Sequence, residues 1–413
     1  MTESETPLNI VCFATFFKGV DFILECKSRG WRVVVITKER MLQEPWPREN
    51  IDELFGVPND ASTEVYIDLI RHISLQHKID RVVALEEFDV VPAALVREHL
   101  CLPGMSSSNA NAFRDKWPMS LKAQAAGINV PDCTPLLNPS DLTDFMNRVP
   151  PPWLVKPRAD ASAIGIRKVD SPEQVWSVID ELNARERLNE RASYYLLMRF
   201  IPGEVFHVDS TVQNGRVLFA AANHYGRPPM QVAHGGGAYI SHTIAHGSAD
   251  QKKLFEINRK LIKALGLQRG VTHAEFIKSA ADGKFYFLEI ASRVGGAYIA
   301  DVLQAASGVN LWREWAKLEI AGDESVKPIR AEKPRKDYAG IVLSLARQEA
   351  PDTTAYDDPE IIYRVDKKHH VGLIVRSPRL ERVAELLDQY AQRFADEFIA
   401  VAPPHQRVED SMT

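Results

Sequence analysis

Only four of the 413 residues are cysteine, and Cys12, Cys26, Cys101 and Cys133 are scattered without a CxxC pair. That excludes a disulfide framework and a cysteine-based zinc site, and reduced core or strand cysteines are expected. A basic excess is also missing. Fifty Lys and Arg face 55 Asp and Glu, a formal net charge of -5. The chain therefore lacks the field that general nucleic-acid binding needs, although a small anionic ligand asks only for a few local cations. Long apolar runs are absent too. Leu8 to Phe17 is too short to span a bilayer, and Met1 to Pro7 is polar and acidic, so a cytoplasmic protein without membrane contacts is expected. Neither an internal repeat nor a low-complexity segment occurs.

What is present is a chain that is 45% apolar and 25% charged, long enough for two or three domains. Its first hundred residues alternate strand and helix signals. Asn9 to Thr15 and Trp31 to Thr37 read as buried strands, with Val20 to Ser28 helical between them. After a long polar loop come a helix (Thr63 to His77), a third strand (Arg81 to Leu85) and another helix ending near Pro103 and Gly104. This predicts a doubly wound α/β domain with a parallel sheet over residues 1–110. Such sheets bind ligands at the carboxyl ends of their strands. No GxGxxG follows the first strand, which argues against a dinucleotide. Glu86 and Glu87 lie at one such end, where they suit a substrate ammonium or, equally, the positive end of the following helix.

From Asn111 the pattern turns to strand pairs and hairpins mixed with helices, an α+β signature running to residue 322. A charged, proline-bearing stretch, Glu324 to Asp337, reads as a linker. Residues 323–413 then carry strand-like segments (Tyr338 to Ala346, Val371 to Val375) and an amphipathic helix (Leu380 to Phe398), predicting a small C-terminal α+β unit.

The most informative segment runs from His273 to Glu289. Two β-like runs flank an Asp282-Gly283 turn signal. With a two-residue loop, Glu275 and Glu289 fall on opposite faces. A three-residue loop, Ala281 to Gly283 with Gly283 left-handed, makes them direct cross-strand partners. Opposed carboxylates repel, and a divalent cation between them turns that penalty into a site. Phe285 and Phe287 are then expected on the same face as Glu289, as a dry floor. Two unrelated solvated glutamates remain the alternative on this segment alone.

Taken with its neighbours, the hairpin resembles the ATP-grasp superfamily, and within it the biotin-carboxylase-like carboxylate–amine ligases. The resemblance rests on five motifs in order: Phe113 to Lys116, Trp153 to Pro157, Leu197 to Glu204, His273 to Phe276, and Leu288 to Gly296. It implies an ATP-grasp fold of two α+β lobes over residues 111–322, following the α/β domain. It also implies ATP and Mg²⁺ as cofactors, with Mn²⁺ as an alternative, and Glu275 and Glu289 as metal ligands.

In such proteins Lys116 and Lys156 would meet the nucleotide phosphates, and Ser162 would lie in the small-residue loop that closes over them. Met198 to Ile201 would offer backbone groups to adenine, Glu204 a carboxylate to ribose, and Arg293 with the following helix N-terminus a cradle for phosphoryl groups. Arg293 and Lys156 would be the catalytic pair. One position departs: where the family often has asparagine, two residues after the second metal glutamate, this chain has Ala291.

The implied chemistry activates a carboxylate as an acyl phosphate and couples it to an amine, from amino acids or small acids. Glu86, Arg227 and His234 are the candidate substrate contacts, and His207, on an alternating strand, is read as structural. A phosphotransferase on the same scaffold and a nucleotide-binding regulatory protein are the competing readings. Small-molecule carboxylate and amine substrates are the expected partners, with room for a homodimer.

Overall fold

A computed structural model describes residues 8–160, 165–228, 230, 232, 237–321 and 334–400. Four parallel strands open the chain: β1 (Asn9–Phe13), β2 (Arg32–Lys38), β3 (Glu53–Val57) and β4 (Arg81–Ala84), in the order β3-β2-β1-β4. Their side chains alternate between two cores. Val11, Phe13, Val34 and Ile36 pack on Tyr66, Ile70 and Ala93, while Cys12, Val33 and Val35 face Phe22 and Trp315. Burial on both faces is why these strands read as continuous apolar runs. The second face is covered partly from afar, since Trp315 belongs to the helix Leu311–Ala321 and meets Phe22 edge to face at 5.3 Å. Burying Phe22 is worth roughly 2–3 kcal/mol.

The polar loop expected between β2 and the next helix contains a strand of its own, β3. As an edge strand it has only Val57 buried, so no hydrophobic run announces it.

A small antiparallel sheet follows: β5 (Cys133–Pro135), β6 (Trp153–Pro157), β7 (Arg167–Val169) and β8 (Tyr195–Arg199), ordered β5-β8-β6-β7. Two helices cover it, Pro139–Arg148 and Pro172–Asn183. Each has proline in its first turn behind a side-chain cap, Asn138 and Ser171 respectively.

The remaining strands build one eight-stranded antiparallel sheet. They are β9 (Gly203–Gln213), β10 (Arg216–Tyr225), β11 (Tyr239–Thr243), β12 (Arg269–Ser279), β13 (Phe285–Ala291), β14 (Tyr338–Leu345), β15 (Ile361–Arg364) and β16 (His370–Ser377). The order is β13-β12-β9-β10-β11-β14-β16-β15. The C-terminal strands join through β14 against β11, under the helix Leu380–Glu397, so described strands on both sides of the expected boundary belong to one sheet. Most of the expected linker, residues 324–333, lies outside the described residues.

Gly203 begins β9 where the small and large sheets meet. A Cβ there would stand 2.1 Å from the Lys278 carbonyl oxygen, so only glycine allows this approach.

Candidate functional site

A cavity of about 520 Å³ opens between the small sheet and the strands β9, β12 and β13 of the large one, with Glu87 reaching in from the first domain. Lys156, in β6, and Lys116, first residue of the helix Lys116–Ala125, enter it from one side. The Lys116 main-chain N–H donates to the Arg158 carbonyl at 2.9 Å, and Arg158 binds Asp115, the cap of that helix. The two lysine-bearing elements are thus tied together. Both ammoniums converge on one oxygen, Glu289 Oε2, at 3.2 Å from Lys116 and 3.6 Å from Lys156. Burial pulls the Lys156 ammonium below its usual pKa, and Glu289 partly opposes this.

Glu275 and Glu289 are direct partners across β12 and β13. They arrive there by a different route from the one the sequence suggested. Ser279 N–H donates to Lys284 O and Gly283 N–H to Ser279 O, so the loop has four residues, 280–283, with Gly283 left-handed at φ 68°. Phe276 then pairs with Phe287, and the register slips by one before Glu275 meets Glu289. Leu288 is the extra residue of that bulge, which restores the pairing that a three-residue loop would have made.

The bulge corrects a second expectation. Phe285 and Phe287 pack with Phe206 and Phe276 in the core behind the sheet, not beside Glu289. The cavity floor is instead Ile201, Val205, Ile277 and Leu288. A bulge between Phe287 and Glu289 puts residues two apart on opposite faces.

Glu275 is held by a buried network that no local motif announces. Tyr225 OH donates to Glu275 Oε1 at 2.8 Å, and His273 Nε2 lies 3.3 Å from the same oxygen. His273 Nδ1 meets Asp209 Oδ1 at 2.9 Å, while Asp209 Oδ2 takes His207 Nδ1 at 2.6 Å. Ser241 Oγ closes the chain on His207 Nε2 at 2.8 Å. Burial alone would lower His273, but Asp209 and Glu275 outweigh it and hold the imidazole at about 10, so both its nitrogens donate. Burial dominates at His207, which stays neutral and accepts from Ser241. Burial would raise Glu275, yet the donors around it keep its carboxyl below the ordinary range.

The side-chain ligand atoms of His207, Asp209 and His273 lie within 4.8 Å of one another, but those facing each other are already hydrogen-bonded. The sequence held a signal, His-x-Asp on β9 and His-x-Glu on β12. Only the pairing of strands some 60 residues apart, His207 with Glu275 and Asp209 with His273, joins them.

Arg293 follows β13 and is held by Glu87, through Nη2 at 2.5 Å and Nε at 3.1 Å, while Arg114 binds the other Glu87 oxygen at 2.5 Å. Burial would raise the Glu87 carboxyl, but the two guanidiniums hold it at about 2. Behind Arg293, Gly296 and Ala297 line the cavity ahead of the helix Ile299–Ser307. Ala297 and Tyr298 are both left-handed, at φ 50° and 60°, a strained backbone of the kind found at ligand sites. Ala291 lines the cavity opposite His273 in the ladder.

Met198 to Gly203 line the cavity as one hinge, with Met198 and Ile201 where adenine contacts were expected. Five expected site residues need correction or fall elsewhere. Glu204 is 68% exposed on the opposite face of β9, 3.8 Å from His224; alternation gives the cavity position to Val205. Glu86 is buried against Lys18 in the first domain, and its neighbour Glu87 enters the cavity in its place. Arg227 is exposed near Gly237 and does not line the cavity, which Pro228, Met230 and Val232 do. Ser162 and His234 lie outside the described residues.

Residues 149–301 match the ATP-grasp domain model. The chain is 22% identical over 284 residues to the L-arginine-specific L-amino acid ligase of Bacillus subtilis, covering 67% of each protein. It is 33% identical over 134 residues to the D-alanine–D-alanine ligase of Nitrosomonas europaea, 31% of this chain and 42% of that enzyme. In structure it resembles the L-amino acid ligase of Bacillus licheniformis with a TM-score of 0.72 at 17% identity, over 97% of this chain and all of that one. The chain thus carries an ATP-grasp domain match over residues 149–301, has amino acid ligases among its sequence relatives, and shares its fold with a solved amino acid ligase along nearly its whole length.

Proposed function

We propose that this enzyme joins the carboxylate of one amino acid or small acid to the amine of another at the expense of ATP. The observation that carries the reading is the convergence of two ammoniums on Glu289, with Glu275 paired beside it, at a hinge-lined cavity. Its volume is in the range of small-ligand sites.

Two carboxylates supply hard oxygen donors, and Glu275 keeps an oxygen free of the Tyr225 and His273 contacts, so the residues fit Mg²⁺. When bound there, the ion would neutralise phosphate charge. Lys116 and Lys156 would turn from Glu289 to the phosphates, and Met198 to Ile201 would receive adenine. The substrate carboxylate oxygen attacks the γ-phosphorus, ADP leaves, and an acyl phosphate forms. The amine nitrogen then attacks the acyl carbon, phosphate departs and the amine loses a proton. Arg293 would hold the transferring phosphoryl group beside the Gly296–Tyr298 backbone. The catalytic contribution is positioning and charge placement. With Ala291 where an oxygen ligand is common, the reading is a single metal ion. Its dependence on ATP and free amino acids is consistent with a cytoplasmic enzyme.

The test incubates the protein with ATP and Mg²⁺ against L-amino acids singly and in pairs, following ADP, phosphate and product mass. Pair-dependent ADP release with a new amide supports ligation. A stable phosphorylated acceptor without free phosphate would make the protein a phosphotransferase, and ATP binding that no acid or amine ever converts to turnover would favour a regulatory role.

Tyr225 offers a sharper check on the metal assignment. Tyr225→Phe removes the donor to Glu275 but keeps the ring. Groups that orient a metal ligand are worth about 10–100-fold in affinity or activity, so the half-saturating Mg²⁺ concentration is expected to rise within that range. An unchanged Mg²⁺ titration would show that Glu275 is oriented by something else.

A further inference from the structure

We infer that a second cavity, remote from the hinge, binds a small anion carrying a carboxylate or phosphate group. It measures about 410 Å³ and lies between the edge strand β4, the turn at Asn214 joining β9 to β10, and the helix Leu311–Ala321. The strand β12 lines this cavity through Val271 and the first one from His273 onward.

Its charge is unbalanced. Among the described residues lining it are three guanidiniums, Arg81, Arg97 and Arg269, and one carboxylate, Glu319. That carboxylate is already engaged, accepting from Arg269 Nε at 2.8 Å and from the Trp315 indole at 3.1 Å. Arg97 is 93% buried by its 7% exposure, yet donates only to main-chain carbonyls, of Val82 at 2.9 Å and Met105 at 3.0 Å and 3.3 Å. Arg81 likewise donates to the carbonyls of Asp80 and Glu319. Neither guanidinium has an ion-pair partner among the described residues.

A buried charge without a counter-ion is costly, and a planar guanidinium suits carboxylate and phosphate oxygens. Ser292 adds a neutral donor. Its Oγ is buried without a partner among the described residues, and the residue lines this cavity. The next residue, Arg293, lines the first. One step of the chain therefore separates an anion here from the guanidinium assigned to phosphoryl transfer. The site stands apart from the ligase reading, because none of the described residues lining it also lines the first cavity.

Calorimetric titration with inorganic phosphate and, separately, with malonate tests it, on the wild-type chain, Lys156→Ala and Arg81→Met. Arg81 is the residue to change because Arg97 also ties Met105 to β4. Saturable binding of either probe is expected, kept in Lys156→Ala and weakened at least tenfold (about 1.4 kcal/mol) in Arg81→Met. Whichever probe binds more tightly names the head group. Absence of saturable binding up to roughly 10 mM overturns the inference, as does binding abolished by Lys156→Ala and untouched by Arg81→Met.

Discussion

Glu289→Gln is expected to lower turnover by on the order of 10³-fold while the protein stays folded. Loss of one preorganised electrostatic group at a reacting phosphate costs about 10²–10³-fold, and this residue has two roles. It would hold the metal, and it is the shared partner of Lys116 and Lys156 before nucleotide arrives. Glutamine keeps the shape but leaves two ammoniums facing each other across a neutral amide. The fold should tolerate this, because the Glu289 side chain is a third exposed and water screens what remains. ADP release across a Mg²⁺ titration, with thermal unfolding as control, measures both halves. Turnover within tenfold of wild type at ordinary Mg²⁺ would remove Glu289 from the metal site.

The second large effect is expected at Arg293. Arg293→Met should reduce kcat and kcat/KM together by roughly 10²–10³-fold, with little change in the KM for ATP. The reason is that the guanidinium is assigned to the transferring phosphoryl group rather than to nucleotide binding. Breaking a buried ion pair often costs several kcal/mol because a charge is left alone. Here Glu87 keeps Arg114 at 2.5 Å, so the carboxylate stays paired and the fold is expected to survive. Arg293→Lys should fall between, since a point charge replaces the planar fork. A rise in the KM for ATP with kcat unchanged would move Arg293 to the ground-state binding of nucleotide.

Much of this site is legible in the amino-acid sequence alone. The two glutamates around Asp282-Gly283 are a local pattern, and Lys156 near the end of a β run, the hinge from Met198 and Arg293 ahead of a helix are short motifs that the family resemblance picks out. Each is set by residues within one strand or hairpin, and the fold brings them to one cavity. The apolar runs of β1 and β2 mark the parallel sheet equally well. The edge strand β3 leaves no such mark because an edge needs little burial.

What the sequence determined by itself is which residues can be neighbours along an element, and its motifs, through the family resemblance, proposed the composition of the candidate site: two lysines, two glutamates, one arginine. Only the tertiary structure decided which face each residue takes and which distant strand it meets. The side-chain period in a strand is two, so one slip of register exchanges the faces. The bulge at Leu288 turned Phe285 and Phe287 away from the cavity yet brought Glu289 to Glu275. Alternation gave Val205, not Glu204, the cavity position, and the turn after β4 sent Glu87 rather than Glu86 to Arg293. The Tyr225, His273, Asp209 and His207 network came from pairing strands far apart in the chain, a long-range choice made by packing and not by local spacing.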